Sequence, residues 1–259
     1  MAPVSLSTKA FIISSIPMGE SDLLVTFLTP EAGKLRAVAK GAKKSTKRFM
    51  NALEPFTQVS ACLIRSRPSG LWRLDSATIL HIYETISSDY QRFVYASLCM
   101  ELTELWQREG VGDSDVFGLV NWYLSKISRG SCPVTCSLIF KIRLLKSVGL
   151  LPRLDVCSVC GKRPMGRLIA FDRITGEIIC ASCVGRKDSM NLCLGTARSI
   201  DFIGTSSLER VGRLKLTYSQ SLEGWSYMKE LHCRHLHKEP SSYKFIDVSK
   251  DLKGCGYDS

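Results

Sequence analysis

The sequence lacks any apolar run close to eighteen residues, the length that a membrane-spanning helix needs. Its first twenty residues contain no charged start, no long apolar stretch and no small-residue cleavage site, so no signal peptide is predicted. Internal repeats and low-complexity tracts are also missing. We therefore expect a cytoplasmic globular protein.

The sequence also lacks the residues of common catalytic sites. The stretch KGAKKST (40–46) has lysines and hydroxyls but not the two glycines of a phosphate-binding loop, which argues against nucleotide hydrolysis. There are four histidines, three of them within 232–237, and they offer no obvious base for a serine or cysteine nucleophile. Glu101 and Glu104 are one helical turn apart and are interpreted as a solvated face. Nothing in the sequence requires an enzyme.

Acidic residues are few in proportion to basic ones. The chain has 24 Asp and Glu against 35 Lys and Arg, a formal net charge of +11. Residues 1–80 alone carry eleven basic against five acidic side chains, and 38–48 (VAKGAKKSTKR) contain no acid. This concentration is expected if one domain binds a polyanion such as nucleic acid. Solubility alone is the alternative explanation.

The first eighty residues have the composition of short β-strands separated by turns that contain proline or glycine. Within 34–40, alternation places Arg36, Val38 and Lys40 on one face of a strand. Five strands predict a small barrel compatible with an OB-fold over 1–80, whose open face commonly binds single-stranded nucleic acid. The predicted strands are 9–15, 22–29, 34–40, 57–66 and 71–79.

From about residue 81 the apolar residues recur at helical spacing, so the fold class is α+β with a helical domain over 81–248. Further helices are predicted near 195–210 and 218–237, and residues 249–259 are predicted to form a flexible tail. The first helix is expected to bury Phe93, Ala96, Met100 and Leu105. The second is expected to bury Val116, Leu119, Val120, Tyr123 and Ile127.

Eleven cysteines in a reducing compartment favour metal binding over disulfides. The stretch CSVCGKRPMGRLIAFDRITGEIICASC contains two C-x2-C pairs separated by 19 residues, the spacing of a four-thiolate zinc site. Each pair can form a tight knuckle, and a hairpin in the spacer can bring the knuckles together around one structural Zn²⁺. Reduced thiols or redox pairs are the alternative. The predicted ligands, inside a zinc finger over 155–186, are Cys157, Cys160, Cys180 and Cys183.

The remaining cysteines and histidines carry a weaker signal. Cys132 and Cys136 have helical i, i+4 spacing, which we interpret as chance burial. The stretch HCRHLH (232–237) is interpreted as the polar face of a helix and not as a second metal site, because it lacks a complete ligand set.

Several stretches together resemble the RecO family of bacterial DNA repair proteins. They are GESDLLVTFLT, GKLRAVAKGA and ALEPF near the start, SVGLLPRLDVCSVCG at the first knuckle, and YMKELHCRHLHKEPSSYKFID near the end. The resemblance spans about residues 5–248. It implies a recombination mediator of the RecF pathway, associated with the nucleoid, and not an enzyme. It also implies binding to single- and double-stranded DNA, strand annealing and, with RecR, loading of RecA on DNA coated by single-strand binding protein.

The basic residues of the barrel are the DNA-binding candidates. Trp72 is expected either to stack on a base or to be a buried residue of the barrel. The resemblance also implies a pocket for the C-terminal tail of single-strand binding protein in the helical domain, where Lys141, Arg143 and Lys146 supply positive charge. The first-line DNA-binding candidates are Lys34, Arg36, Lys40, Lys43, Lys44, Lys47 and Arg48, and the second-line candidates are Arg65, Arg67 and Arg73.

Two other functions are compatible with parts of the sequence. An OB-fold plus zinc-finger protein that binds RNA, such as a translation-associated factor, fits the charge and the predicted fold equally well. Only the family resemblance separates it from the DNA mediator. A zinc-dependent nuclease is the second alternative, and four thiolate ligands with no open coordination position argue against it.

Overall fold

A computed structural model describes residues 4–45, 48–49, 51–65, 71–172, 175–184 and 189–257. The chain divides into two compact units, Met1–Gly130 and Ser131–Ser259. The division at residue 80 that the sequence suggests stays a prediction. Across the described ranges, no helix is both long enough and apolar enough to cross a membrane.

The first unit is built on five strands: β1 (Val4–Met18), β2 (Asp22–Thr29), β3 (Gly33–Ala39), β4 (Thr57–Arg65) and β5 (Trp72–Ile82). They close into a barrel in the order β1-β2-β3-β5-β4. The pairing of β3 with β5 is parallel, and the other neighbours are antiparallel. This is the topology of an OB-fold, as predicted.

Three helices complete the first unit: α1 (Glu84–Ser87), α2 (Tyr90–Trp106) and α3 (Ser114–Ser128). They cover part of the outside of the barrel, so β1 and β2 bury apolar side chains on both faces. Ile12 and Phe27 point into the barrel core, whereas Phe11 faces outward, with its ring centroid 4.8 Å from that of Phe117 on α3. This double burial explains the dense apolar composition of both strands.

The helix predictions for this unit have mixed outcomes. All five residues expected to be buried on α3 are buried. On α2, the prediction is wrong for Phe93, which is 44% exposed although its ring meets Phe56 edge-on at 5.6 Å. It is wrong for Leu105 as well, which is only partly buried. The helix instead buries Val94, Tyr95, Ala96, Leu98, Cys99, Met100, Leu102 and Thr103.

The β2–β3 hairpin packs closely against the loop that follows α2. A Cβ atom at Gly33 would lie 1.9 Å from the carbonyl oxygen of Val111, and one at Gly112 would lie 2.2 Å from that of Glu31. Gly33 also has a φ of +58°, in the left-handed region. Backbone thus approaches backbone on both sides, which fixes the hairpin relative to α2.

We expect Gly33→Ala to destabilise the protein by about 3 kcal/mol or more, because it adds both a left-handed φ penalty and a backbone clash. Gly19→Ala is the matched control, since Gly19 has a φ of +69° but nothing within 4 Å of its Cβ position. That variant should lose only about 1–2 kcal/mol. Urea unfolding of both variants measures the difference. Equal losses would show that the close approach contributes nothing.

The second unit contains α4 (Pro133–Ser147), α5 (Leu194–Thr205), α6 (Leu208–Val211), α7 (Tyr218–Leu236) and α8 (Val248–Gly254). It also contains a small sheet of β6 (Leu168–Asp172), β7 (Ile178–Ile179) and β8 (Ser189–Cys193), in the order β7-β6-β8. The antiparallel β6–β7 pair confirms the hairpin predicted between the two cysteine knuckles. Helix α7 begins with a capping box of Thr217 and Gln220.

The flexible tail predicted for 249–259 is wrong for its first part. Asp247 caps α8 by accepting a hydrogen bond from the backbone N–H of Lys250, and Leu252 is fully buried. A short polar segment can therefore be ordered by one cap and one apolar contact. Tyr257 extends this order, since its hydroxyl lies 3.0 Å from that of Thr135 on α4.

Helices α4 and α7 bury two ionisable side chains against each other. Lys141 is fully buried, with its Nζ 3.8 Å from the ring centroid of Trp225 and 5.2 Å from that of Tyr243. His232 is also fully buried, and its Nε2 donates to the backbone oxygen of Lys141 at 3.1 Å. His232 thus does not belong to a polar helix face as predicted, and Lys141 is not available to a surface pocket.

Burial, with the nearby Lys141 ammonium as a smaller cause, lowers the pKa of His232 to about 3 from its ordinary 6.5. Below pH 6.5 His232 therefore binds a proton in the unfolded chain but not in the folded chain. The free energy of unfolding thus decreases as the pH falls from about 6.5 to 3.

When the pH falls from 7 to 5, we expect the free energy of unfolding of the parent protein to decrease by about 2 kcal/mol more than that of His232→Gln. Urea unfolding at both pH values, in excess zinc, measures this difference. His237→Asn, at the exposed C-cap of α7, is the control and should follow the parent protein. An equal pH dependence in all three proteins would contradict the assignment.

Candidate metal centre and nucleic-acid interface

The four cysteines predicted as ligands come together in the second unit. Their sulfur atoms all lie within 4.8 Å of one another, and Sγ of Cys160 is 3.7 Å from Sγ of Cys180. Tetrahedral coordination with metal–sulfur bonds of about 2.3 Å places sulfurs about 3.8 Å apart. The site therefore has the dimensions of a four-thiolate metal centre, and among the described residues it is the one such cluster of ligand side chains.

Local backbone structure explains why the sulfurs converge. In the first knuckle the N–H of Gly161 donates to the oxygen of Cys157 at 2.9 Å, and in the second the N–H of Cys183 donates to the oxygen of Cys180 at 2.9 Å. Gly161 has a φ of +69°, which suits the sharp turn. The β6–β7 hairpin then brings the two knuckles side by side, so the spacing seen in the sequence becomes a single site.

Hydrogen bonds and neighbouring charges shift the pKa values of the thiols in opposite directions. Burial of Cys157 would raise its pKa, but N–H donors of Cys180, Cys160 and Val159 lower it to about 6. The hydrogen bond from Cys183 to Cys180 and the charge of its neighbours raise the pKa of Cys183 to about 12. All four can be thiolates together only when a cation offsets their mutual repulsion. The centre can thus hold a metal ion, and the four protein thiolates would fill all of its coordination positions.

The basic loop after β3 is held in place by hydrogen bonds. The carboxylate of Asp22 accepts from the N–H of Gly41 at 2.8 Å, and this bond lowers the pKa of Asp22. Lys43 donates through Nζ to the oxygen of Gly19 at 3.0 Å, and Arg48 donates to the oxygen of Lys40 at 2.6 Å. Sequence reasoning did not find Asp22, because it lies 19 residues before Gly41 and only the pairing of β2 with β3 brings the two together.

A continuous row of outward-facing residues crosses the barrel near this loop. The strand register aligns Ile16 with Leu24, Leu24 with Val38, Val38 with Arg73, and Arg73 with Ile64. Ile16 is 55% exposed, and Arg73 is exposed while forming an ion pair with Asp75 at 3.7 Å. We call these five residues the outer stripe: Ile16, Leu24, Val38, Arg73 and Ile64.

Further cations flank the outer stripe. Arg36 and Lys40 are exposed and lie two residues before and after Val38, which confirms the face predicted for this segment. Lys44 is exposed in the loop that follows. The arrangement combines apolar side chains with positive charges on both sides, and its apolar members are aliphatic, not the aromatic rings on which bases stack.

Other predicted DNA-binding residues have partners inside the unit. Lys34 donates through Nζ to the oxygen of Glu104 at the end of α2, 2.6 Å away, and burial lowers its pKa. The guanidinium of Arg65 lies 4.5 Å from the ring centroid of Trp72. Trp72 is only 8% exposed and belongs to the barrel core, so the hypothesis that it stacks on a base is wrong. Lys47 and Arg67 lie outside the described residues.

The second unit has a shallow basic groove next to α4. It has a volume of about 230 Å³ and is lined by Lys146, Arg153 and one acid, Asp201, with Arg153 also paired to Asp155 at 3.1 Å. Arg143 donates to the oxygen of Gly204 at 3.4 Å, and within the described ranges its Nε and Nη2 are buried without a hydrogen-bond partner. Arg143 does not line the groove, so it supports the wall through Gly204 and offers no donor to the groove surface.

Comparison with known proteins gives consistent matches over most of the chain. Residues 1–83 match the family described as "Recombination protein O N terminal", and residues 87–244 match "Recombination protein O C terminal". A protein named DNA repair protein RecO from Myxococcus xanthus (strain DK1622) is 39% identical over 178 residues, 67% of this chain and 70% of that protein. One of the same name from Desulfatibacillum aliphaticivorans is 32% identical over 263 residues, 98% of each chain. Another from Syntrophus aciditrophicus (strain SB) is 30% identical over 245 residues, 93% of this chain and 94% of that protein.

Proposed function

This chain belongs to the RecO family, which acts in DNA repair and recombination, and on that premise we propose that it is a recombination mediator. In this role it binds single- and double-stranded DNA and anneals complementary strands. With RecR it helps RecA assemble on DNA coated by single-strand binding protein. It works in the cytoplasm on nucleoid DNA and breaks no covalent bond.

The outer stripe with its flanking cations is the observation that carries this proposal. Arg36, Lys40 and Arg73 contact phosphates, while Ile16 and Val38 offer apolar surface to bases. Because phosphate contacts and apolar contacts do not read base edges, binding is independent of sequence. A mediator that acts at any gap needs this property.

Annealing follows from the same surface by electrostatics. Two DNA strands repel each other through their phosphates, and a protein of net charge +11 offsets that repulsion when both strands are near it. Held at one surface, complementary strands meet at a higher local concentration and pair faster. This activity requires neither a nucleotide nor a metal at the DNA.

We propose that the metal is Zn²⁺, one per chain, held by Cys157, Cys160, Cys180 and Cys183. Bound zinc supplies folding energy to the two knuckles and no Lewis acid to a substrate, since four thiolates fill its coordination sphere. The knuckle backbone and the β6–β7 hairpin hold the sulfurs in place. The nuclease alternative is disfavoured for this reason.

The groove beside α4 is our proposed position for the C-terminal tail of single-strand binding protein. That tail is acidic and ends in an aromatic residue, and the groove offers the cations Lys146 and Arg153 beside the apolar Leu151 and Pro152. Excess tail peptide should therefore compete with coated DNA. Lys146→Glu should weaken this competition, and a peptide without effect on annealing of coated strands would contradict the position.

Strand annealing is the experiment that tests the mediator function. Complementary DNA strands should pair faster with the protein, without nucleotide, both bare and coated by single-strand binding protein, and RecR should be retained in a pull-down. A preference for RNA with no acceleration of DNA pairing would favour the RNA-binding alternative. DNA cleavage with added divalent metal would favour the nuclease.

A further inference from the structure

Two cysteines outside the metal centre meet where α4 begins and α8 ends. Cys132 is the N-cap of α4 and Cys255 the C-cap of α8, and their thiols are close enough for each to shift the pKa of the other. The contact is supported by its neighbours, since the hydroxyls of Thr135 and Tyr257 are 3.0 Å apart. Both cysteines are partly exposed, so small solutes can reach them.

The surroundings make the two sulfurs chemically different. The hydrogen bond from Cys255 lowers the pKa of Cys132 to about 6, with help from the N–H groups of Val134 and Thr135 and the Thr135 hydroxyl. The same hydrogen bond raises the pKa of Cys255. At neutral pH the pair therefore holds one thiolate and one thiol, which are the attacking and the resolving partner of thiol oxidation.

We propose that Cys132 and Cys255 form an oxidative modification site, at which a hydroperoxide converts the two thiols into a disulfide. The Cys132 thiolate attacks the hydroxyl oxygen of the peroxide, the O–O bond breaks, a sulfenic acid forms, and the other oxygen leaves as alkoxide, or as hydroxide from hydrogen peroxide. The Cys255 sulfur then attacks the Cys132 sulfur, the S–S bond forms, and the S–O bond breaks. The Cys255 proton leaves with the departing oxygen as water, so two thiols supply two electrons to one peroxide.

The disulfide would join the two ends of the second unit, because Cys132 and Cys255 lie near its first and last residues. A bond that closes so long a loop removes much of the conformational freedom of the unfolded chain. Oxidation should therefore raise the thermal midpoint of the second unit, by about 5–15 °C. The metal thiolates are held by a cation and serve a different role.

Peroxide treatment of the full-length, zinc-loaded protein tests the site. After brief exposure to hydrogen peroxide and alkylation of free thiols, non-reducing peptide mapping should show a Cys132–Cys255 cross-link that dithiothreitol reverses. Cys255→Ser should instead accumulate a sulfenic acid on Cys132 that dimedone traps. Cys233→Ser, which removes another half-buried thiol of the same unit, should form the cross-link at the parent rate.

A measurement on the unsubstituted protein guards against variants that fail to fold. The rate of Cys132 alkylation by iodoacetamide should follow a titration with a midpoint near pH 6. Zinc content should stay constant while the cross-link forms. The proposal is overturned if zinc is released before any Cys132–Cys255 bond appears, or if Cys132 reacts no faster than Cys233 at pH 7.

Discussion

Replacing Cys157 by serine is expected to release the metal and to unfold the region around both knuckles. Cys157 is the most buried of the four ligands, and its sulfur also accepts hydrogen bonds from the N–H groups of Val159 and Cys180, at 3.4 and 3.3 Å. A serine oxygen is a poor ligand for zinc, so the variant loses a large part of the roughly 10–16 kcal/mol that such sites contribute in small peptides. The thermal midpoint of the second unit should fall by more than about 10 °C.

Elemental analysis and thermal unfolding measure this prediction. The parent protein, purified under reducing conditions, should contain one zinc per chain, and Cys157→Ser much less. Cys233→Ser is the control, because Cys233 is half-buried on α7 in the same unit but, among the residues that the structure describes, belongs to no cluster of ligands. Unchanged zinc content in Cys157→Ser, or no zinc in the parent protein, would contradict the assignment. If elemental analysis found iron and no zinc, the identity of the metal would be wrong but the four-cysteine site would stand.

The metal centre and the barrel were predictable because their signals are local. Each C-x2-C pair fixes its own turn, and the spacer between them has the length of a hairpin. Likewise, alternation within 34–40 fixes which side of β3 faces outward whatever the rest of the fold does. Where one segment of chain contains the whole determinant, the sequence is sufficient.

Contacts between distant segments explain what could not be predicted. The partner rings of Lys141 come from Trp225 and Tyr243, and nothing near Lys141 in the sequence marks it as buried. The sequence around Lys34 is typical of a surface lysine, and only the fold shows that the end of α2 lies beside it. Phe93 has the right helical spacing, but packing against the barrel turns a neighbouring face of α2 inward. Tertiary contacts selected the face in each case.

Hydrogen bonds within the first unit decide which basic residues should be replaced to test DNA binding. Lys43 and Arg48 brace the loop through backbone oxygens of Gly19 and Lys40. Removing them would alter the structure of the loop along with its charge. Arg36 and Lys40 have exposed side chains beside the outer stripe, and Arg73 lies in it, so their replacement separates charge from loop structure.

The double variant Arg36→Gln/Arg73→Gln is therefore expected to weaken DNA binding mainly at low salt. Each phosphate contact contributes about −0.7 to the slope of log affinity against log salt on single strands, so losing two should flatten the slope by about 1.4. Adding Lys40→Gln should bring the change to about 2. Affinity should fall equally for different DNA sequences, because phosphate contacts do not read bases. Stability should change by no more than about 0.5 kcal/mol.

Fluorescence anisotropy at several salt concentrations measures the slope. The matched control is Lys126→Gln/Arg129→Gln, which removes the same charge from the end of α3 and its C-cap; Phe117 of this helix packs on Phe11 of β1, a strand that pairs with neither β3 nor β5. If the control flattens the slope as much as Arg36→Gln/Arg73→Gln, binding depends on net charge and not on the outer stripe. If neither slope changes while affinity stays high, DNA contacts another surface. Only a loss of salt dependence confined to the stripe variant supports the barrel face as the DNA-binding surface. In that case Ile16→Ser should weaken binding to single strands at every salt concentration, since the contribution of Ile16 is apolar.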